Sequence, residues 1–162
     1  MDIKVFIEVS AGGRVKYELD EETRELRVDR FLYSAIIFPF NYGSIEDTKG
    51  QDGDPLDVLV LSLGSVEPGV VVMCHSIGLL EMKDEAGIDT KIIAVPLEKI
   101  DPVFGKFKSI KNVPEPTLKE IKHFFRNYKT LEPGKWVKVG SFKNNRLANK
   151  IIKKAFNQTT KA

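Results

Sequence analysis

The sequence is poor in the features that several protein classes require. It has one cysteine, Cys74, so an internal disulfide and a cluster of thiolate metal ligands are both excluded. No apolar run approaches the length of a membrane span, and the N-terminus has no apolar signal core. No membrane partner is expected, and a reducing, cytoplasmic setting is. Charge of one sign is not in excess either: 25 Lys and Arg against 23 Asp and Glu leave a formal charge of +2, which is no nucleic-acid signature. Lys150, Lys153, Lys154 and Lys161 make the C-terminal end more basic. Ile151, Ile152 and Phe156 interleave there at helical spacing, so the lysines read as a solvated helix face. Internal repeats, low-complexity segments and linkers are absent. What remains is an ordinary globular composition, 42% hydrophobic and 30% charged over 162 residues, read as one domain spanning 1–162.

The hydrophobic period changes along the chain. Segments 4–9 and 14–19 have strand character, the second with clean alternation, and 26–28, 57–61, 70–75, 77–82 and 91–95 suit further strands. Pro68-Gly69 marks a turn. Residues 99–116 are loop-rich, with Pro102, Pro114 and Pro116. Leu118, Ile121, Phe124, Phe125, Tyr128 and Leu131 then recur at helical spacing, and Thr117 with Glu120 forms a capping-box pattern. One more strand follows at 135–142, and a second amphipathic helix carries Leu147, Ile151, Ile152, Ala155 and Phe156, with Asn144 as its cap. Many short strands followed by two helices predict a mainly β, α+β fold: a small barrel or sandwich with helices packed outside.

The most informative run is Asp52-Gly53-Asp54-Pro55-Leu56-Asp57, immediately before the apolar Val58-Leu59-Val60-Leu61. Three carboxylates so close repel one another: two like charges 4 Å apart cost about 4 kcal/mol at an effective dielectric near 20. A cation among them, or protonation, relieves this, and Mg²⁺ favours such oxygen ligands. Taken singly, each aspartate reads as a turn residue facing water. As a group they differ: Gly53 permits backbone conformations closed to other residues, Pro55 biases Asp54 toward extended geometry, and Asp57 opens a rigid strand. An EF-hand does not fit, because the Gly and terminal Glu it needs are missing. A phosphoaspartate-forming hydrolase fits poorly, because the apolar strand follows the motif rather than preceding it. A second acidic cluster stands at Asp84-Glu85-Ala86-Gly87-Ile88-Asp89. Two acidic loops with nearby Lys16, Arg30, Lys91 and Lys129 suggest a multi-metal phosphate site, although each residue alone reads as a surface charge.

Asp52 to Val58, DGDPLDV, resembles the signature of the family I soluble inorganic pyrophosphatases. Phe6-Ile7-Glu8, Lys16-Tyr17-Glu18, Val28-Asp29-Arg30-Phe31, Pro39-Phe40-Asn41-Tyr42-Gly43, Asp84-Glu85-Ala86-Gly87, Asp89-Thr90-Lys91, and His123-Phe124-Phe125 through Tyr128-Lys129 to Gly134-Lys135-Trp136 resemble further family blocks, in family order. The resemblance implies an OB-like closed five-stranded β-barrel with two α-helices packed outside, assembled as a homohexamer. It implies hydrolysis of pyrophosphate to two phosphates with several Mg²⁺ ions per site, Mn²⁺ or Zn²⁺ being substitutes. By the same resemblance Asp52, Asp57, Asp84, Asp89 and Glu8 hold metal, and Asp54 orients or deprotonates the attacking water. Lys16, Arg30, Tyr128 and Lys129 hold the phosphates, Tyr42 and Lys91 support catalysis, and Glu18 joins the surrounding hydrogen bonds. Phe38 stands where many members have Tyr, Ser44 where an aromatic is common, and Ile88 where an acid is frequent. Two other classes stay open on residues alone: a phosphohydrolase acting on nucleotides or polyphosphate, and a cation- or anion-binding module without turnover.

Overall fold

The computed structural model of the protein describes residues 1–20 and 22–159. Lys161, read above as part of a basic helix face, lies outside the described residues. Among the described residues nine strands run in chain order: β1 (Asp2–Val9), β2 (Val15–Leu19), β3 (Leu26–Phe31), β4 (Asn41–Ile45), β5 (Asp57–Val60), β6 (Val71–Asp84), β7 (Gly87–Ile88), β8 (Lys91–Pro96) and β9 (Val137–Asn144). Helix α1 (Glu115–Asn127) precedes β9 and α2 (Asn145–Thr159) follows it. The order β1-β4-β5-β8-β6 closes on itself, because β6 also pairs with β1 (Ile3 opposite Cys74, Val5 opposite Val72). Five strands therefore form a closed barrel and leave no open edge between first and last. β5 and β8 are parallel neighbours; the other barrel pairs are antiparallel. β2 and β3 form a separate two-stranded ribbon.

Alternation along the strands divides the apolar residues between two cores. Ile3, Val5, Ile7, Ile45, Val58, Val60, Val72, Cys74, Leu79, Ile92 and Ala94 come from all five barrel strands and pack with Ala148 and Ile152 of α2. Leu59, Leu80, Ile93 and Val95, on the opposite strand faces, pack with Ile121, Phe124 and Phe125 of α1. β8 is covered on both faces, which explains why Lys91 to Pro96 is buried throughout and reads as a continuous run rather than an alternating one.

Three local expectations change. Segments 70–75 and 77–82 are one strand of 14 residues, whose register against β8 slips between Ser76 and Gly78. A bulge, not a chain break, interrupts the pattern. Gly78 is required beside it, since a Cβ there would lie 2.5 Å from the Lys143 carbonyl oxygen on β9. The Thr117/Glu120 capping box does not form. Helix α1 starts earlier, at Glu115 after Pro114, with Pro116 in its first turn, where a missing N–H costs no helical bond. The segment 41–45 is a barrel strand that its mixed Asn-Tyr-Gly-Ser-Ile composition did not announce. The Asn144 cap does form: its Oδ1 accepts the Leu147 N–H at 3.0 Å.

Cys74 is fully buried in the barrel core, and burial pushes its thiol up to about 12. Because the thiolate is the nucleophile, native protein should react negligibly with a disulfide reagent over an hour at pH 8, then release one equivalent per chain in denaturant. Rapid stoichiometric labelling of the native protein contradicts this burial.

Candidate active site

Strand ends and one helix end converge on a single polar cleft. Asp57 opens β5, Asp84 closes β6, Lys91 opens β8, and Asp89 stands just before it, its N–H bonded to the Met82 carbonyl at 2.9 Å. Tyr42 comes from β4. Lys16 and Arg30 are cross-strand partners on β2 and β3, so the ribbon delivers two cations together. Tyr128 and Lys129 follow the last residue of α1. The cleft is about 110 Å³ and is lined by these nine residues together with Leu32, Phe38 and Glu132. That is well below the roughly 300–1,000 Å³ of a drug-sized ligand site.

Its chemistry is a balance of opposite charges: Lys16, Arg30, Lys91 and Lys129 against Asp57, Asp84, Asp89 and Glu132. Lys91 is only 2% exposed. Its Nζ donates to Asp57 Oδ2 at 2.6 Å, to Asp89 Oδ1 at 2.7 Å and to the Tyr42 hydroxyl at 3.2 Å. Lys129 Nζ donates to Asp84 Oδ2 at 2.9 Å. Arg30 donates through Nε to Asp29 Oδ2 at 2.7 Å and through Nη1 to Glu132 Oε1 at 2.8 Å. Among the described residues Lys16 has no direct ion pair.

These contacts separate two similar aspartates. Burial raises both. For Asp57 the Lys91 ammonium overrides burial, and the carboxyl is held below the usual range. For Asp89 burial wins over Lys91, and the carboxyl sits above it. Burial works against the Lys91 ammonium, but Asp57 leads the groups that hold it charged. Burial, then the Asp57 charge, keeps the Tyr42 phenol protonated. Glu8 lies behind Asp57, close to Lys16, Ser44 and Glu18, and burial pushes it up to about 7.

The structure thus brings Lys16, Arg30, Tyr42, Asp57, Asp84, Asp89, Lys91, Tyr128 and Lys129 into one cleft, with Glu8 behind it. Asp52, Asp54 and Glu18 do not line it. Asp52 and Asp54 stand on an exposed turn where Asp52 Oδ1 accepts the Asp54 N–H at 3.0 Å. Gly53 takes the left-handed conformation there, φ 93°. Sequence reasoning missed Glu132. An acid in a Glu-Pro turn reads as a surface charge, and only the fold sets it against an arginine 102 positions away.

Hard oxygen donors suit a divalent cation, and Asp57 and Asp89 already share one positive group. Among the described residues, however, no three His, Cys, Asp or Glu side chains are set together as a cation site. The donor chemistry fits such an ion once the ammonium groups turn away.

A small closed five-stranded barrel whose strand ends and one helix end set four cationic side chains against four carboxylates in one small cleft defines the class of protein. The inorganic pyrophosphatase family model matches residues 5–160. The inorganic pyrophosphatase of Aquifex pyrophilus is 54% identical over 153 residues, covering 94% of this chain and 86% of the relative. That of Saccharolobus solfataricus is 49% identical over 95% of this chain and 90% of the relative. The solved Helicobacter pylori inorganic pyrophosphatase aligns with a TM-score of 0.96 at 47% identity, covering 98% of this chain and 94% of that one. The chain belongs to the inorganic pyrophosphatase family.

Proposed function

We propose that this protein hydrolyses inorganic pyrophosphate to two orthophosphates with Mg²⁺. The observation that carries the reading is the pairing within the cleft: Lys91 and Lys129 are neutralised by carboxylates that are themselves good cation ligands. Asp57, Asp84 and Asp89 with Glu8 would hold Mg²⁺, joined by Asp52 once its exposed turn approaches them, and Mn²⁺ or Zn²⁺ would substitute. Bound there, a divalent ion neutralises substrate charge and lowers the pKa of its water. With those aspartates engaged by the ion, Lys91 and Lys129 would be available to phosphate oxygens beside Lys16, Arg30 and Tyr128, which line the same cleft. Charge develops on those oxygens during phosphoryl transfer, and fixed cations stabilise it. Tyr42, whose hydroxyl accepts from Lys91, faces Asp57 and keeps it oriented; Glu18 joins the surrounding hydrogen bonds through Asp29. Asp54 is the proposed proton acceptor for the attacking water. It stands outside the cleft wall, so the turn at 50–54 must approach the substrate for this role. We place the enzyme in the cytoplasm as a homohexamer; a monomeric mass in light scattering overturns the assembly. Among the described residues no helix is long and apolar enough to cross a membrane.

The test is phosphate release from pyrophosphate, ATP and a simple monoester, each with Mg²⁺. Release from pyrophosphate alone, abolished by EDTA, is expected; equal or faster turnover of ATP overturns the substrate. The cleft's small volume favours the first outcome.

Phe38 is 2% exposed, with its ring 5.2 Å from Tyr42 and 4.5 Å from Phe124. Phe38→Tyr adds one hydroxyl at the cleft wall without moving a charge. Its kcat and KM for pyrophosphate are expected within about tenfold of the parent, one neutral hydrogen bond being worth about 1 kcal/mol; a thousandfold change in either direction contradicts this.

A further inference from the structure

Glu132 is the one acid lining the cleft that the cation and phosphate assignments above leave unused. It is 8% exposed and sits in the turn after α1, held by its N–H to the Lys129 carbonyl at 3.0 Å and by the Lys135 N–H to its own carbonyl at 3.2 Å. Its Oε1 accepts from Arg30 Nη1, while Oε2 is buried without a hydrogen-bond partner among the described residues. A buried carboxylate using half its acceptor capacity is a poor stabiliser: an unmet buried acceptor costs roughly 1–3 kcal/mol, more when charged. Stability is therefore a weak reason for this acid, and such groups commonly mark functional constraint.

The geometry points to Glu132 as a positioning residue for Arg30. The guanidinium is planar, with its five N–H groups in a fixed fork. Asp29 takes Nε from one side and Glu132 takes one Nη1 hydrogen from the other. Two anchors on different elements, β3 and the turn after α1, fix the plane of the fork. The other Nη1 hydrogen and both Nη2 hydrogens remain for phosphate oxygens. Asp29 alone would leave the fork free to swing, because it is the adjacent residue on the same strand. Glu132 also joins the β2–β3 ribbon to the turn that carries Tyr128 and Lys129, so the two groups of phosphate holders keep a fixed separation. Misplacement of a binding group by about 1 Å costs on the order of a hundredfold in favourable cases. Unlike Asp57, Asp84 and Asp89, Glu132 has no cation-holding role in the proposed reaction, so its pair with Arg30 persists through turnover.

This inference rests on the pyrophosphatase reading, which parental turnover of pyrophosphate in the same assay establishes independently. Glu132→Gln keeps the side-chain length and an oxygen for Nη1. Glu132→Asp keeps the charge but withdraws the carboxylate by one methylene. A positioning role makes length matter more than charge: E132D raises KM for pyrophosphate about tenfold with a smaller change in kcat, and E132Q stays within about threefold. In an Arg30→Ala background E132D adds no further change in KM, since the group it positions is gone. Three results overturn the proposal: E132D harmless with E132Q damaging, both harmless, or an E132D penalty that persists undiminished beside Arg30→Ala. Melting temperatures of the parent and all four variants accompany the kinetics, and a loss of folding in E132D that accounts for its KM counts against positioning.

Discussion

Lys91→Met unfolds the metal-free protein at a temperature where the parent is still folded, and Mg²⁺ restores much of the difference. Lys91 is the shared counter-ion of Asp57 and Asp89 in a nearly sealed position. Methionine fills a similar volume but leaves two half-buried carboxylates facing each other unpaired. Removing one partner of a buried ion pair costs roughly 3–5 kcal/mol. In a chain of this size about 2–4 °C of melting temperature follows each kcal/mol, so a fall of about 6–20 °C is expected. A cation that binds only the folded state then contributes stability by mass action. The pH dependence has a defined sign. Burial already raises Asp89 with Lys91 present. Without the ammonium, burial raises Asp57 as well, so the folded variant binds more protons than the unfolded chain just above the usual carboxylate range. The variant's deficit therefore is largest where both carboxylates are ionised in the folded state and shrinks as pH falls toward the usual carboxylate range. Calorimetry at pH 5 and pH 8, in EDTA and in 5 mM Mg²⁺ on the order of a saturating excess, reads all four conditions. An unchanged melting temperature in EDTA, or a deficit that Mg²⁺ leaves intact, rejects the counter-ion role.

Asp57→Asn abolishes turnover without abolishing the fold. Asparagine is nearly isosteric and its amide oxygen can still accept from Lys91, so the barrel should survive. It lacks the negative charge that the proposed cation-holding role of Asp57 would need. Pyrophosphate hydrolysis at saturating Mg²⁺ is expected to fall by at least about 10³-fold, roughly 4 kcal/mol of transition-state stabilisation. The parent in EDTA should fall comparably. Steady-state phosphate release with circular dichroism on the same samples makes the measurement. A folded D57N within tenfold of the parent removes Asp57 from the proposed cation set.

Legibility differed with the kind of signal. The ordered blocks from Glu8 to Trp136 carried the family and most of the residues that line the cleft, because these cationic and acidic side chains occupy short, recognisable stretches. Strand periodicity worked where one face meets a core and the other does not, as in β1. It failed for β4, whose polar residues hide a barrel strand, and for β6, where a local slip beside Gly78 looks like the end of one strand and the start of another. The Thr117/Glu120 pattern was outcompeted by Pro114 and Pro116, which suit a helix's first turn so well that α1 begins before the pattern does.

By itself the sequence determined the family, the mainly β character with two closing helices, and the residue types that meet in the cleft. Those follow from local chemistry: side-chain period, turn residues and acidic runs. Tertiary structure alone decided which charges face which. Pairing of β8 between β5 and β6 sets the ends of these three strands side by side, so Lys91 lies between Asp57 and Asp89 rather than in solvent. Packing of the β2–β3 ribbon against the turn after α1 brings Glu132 against Arg30, and Asp52 and Asp54 are left on an exposed turn away from the cleft wall. The physical reason is range. Propensity and patterning act over a few residues, whereas the energy of a buried charge depends on neighbours that only the closed barrel supplies.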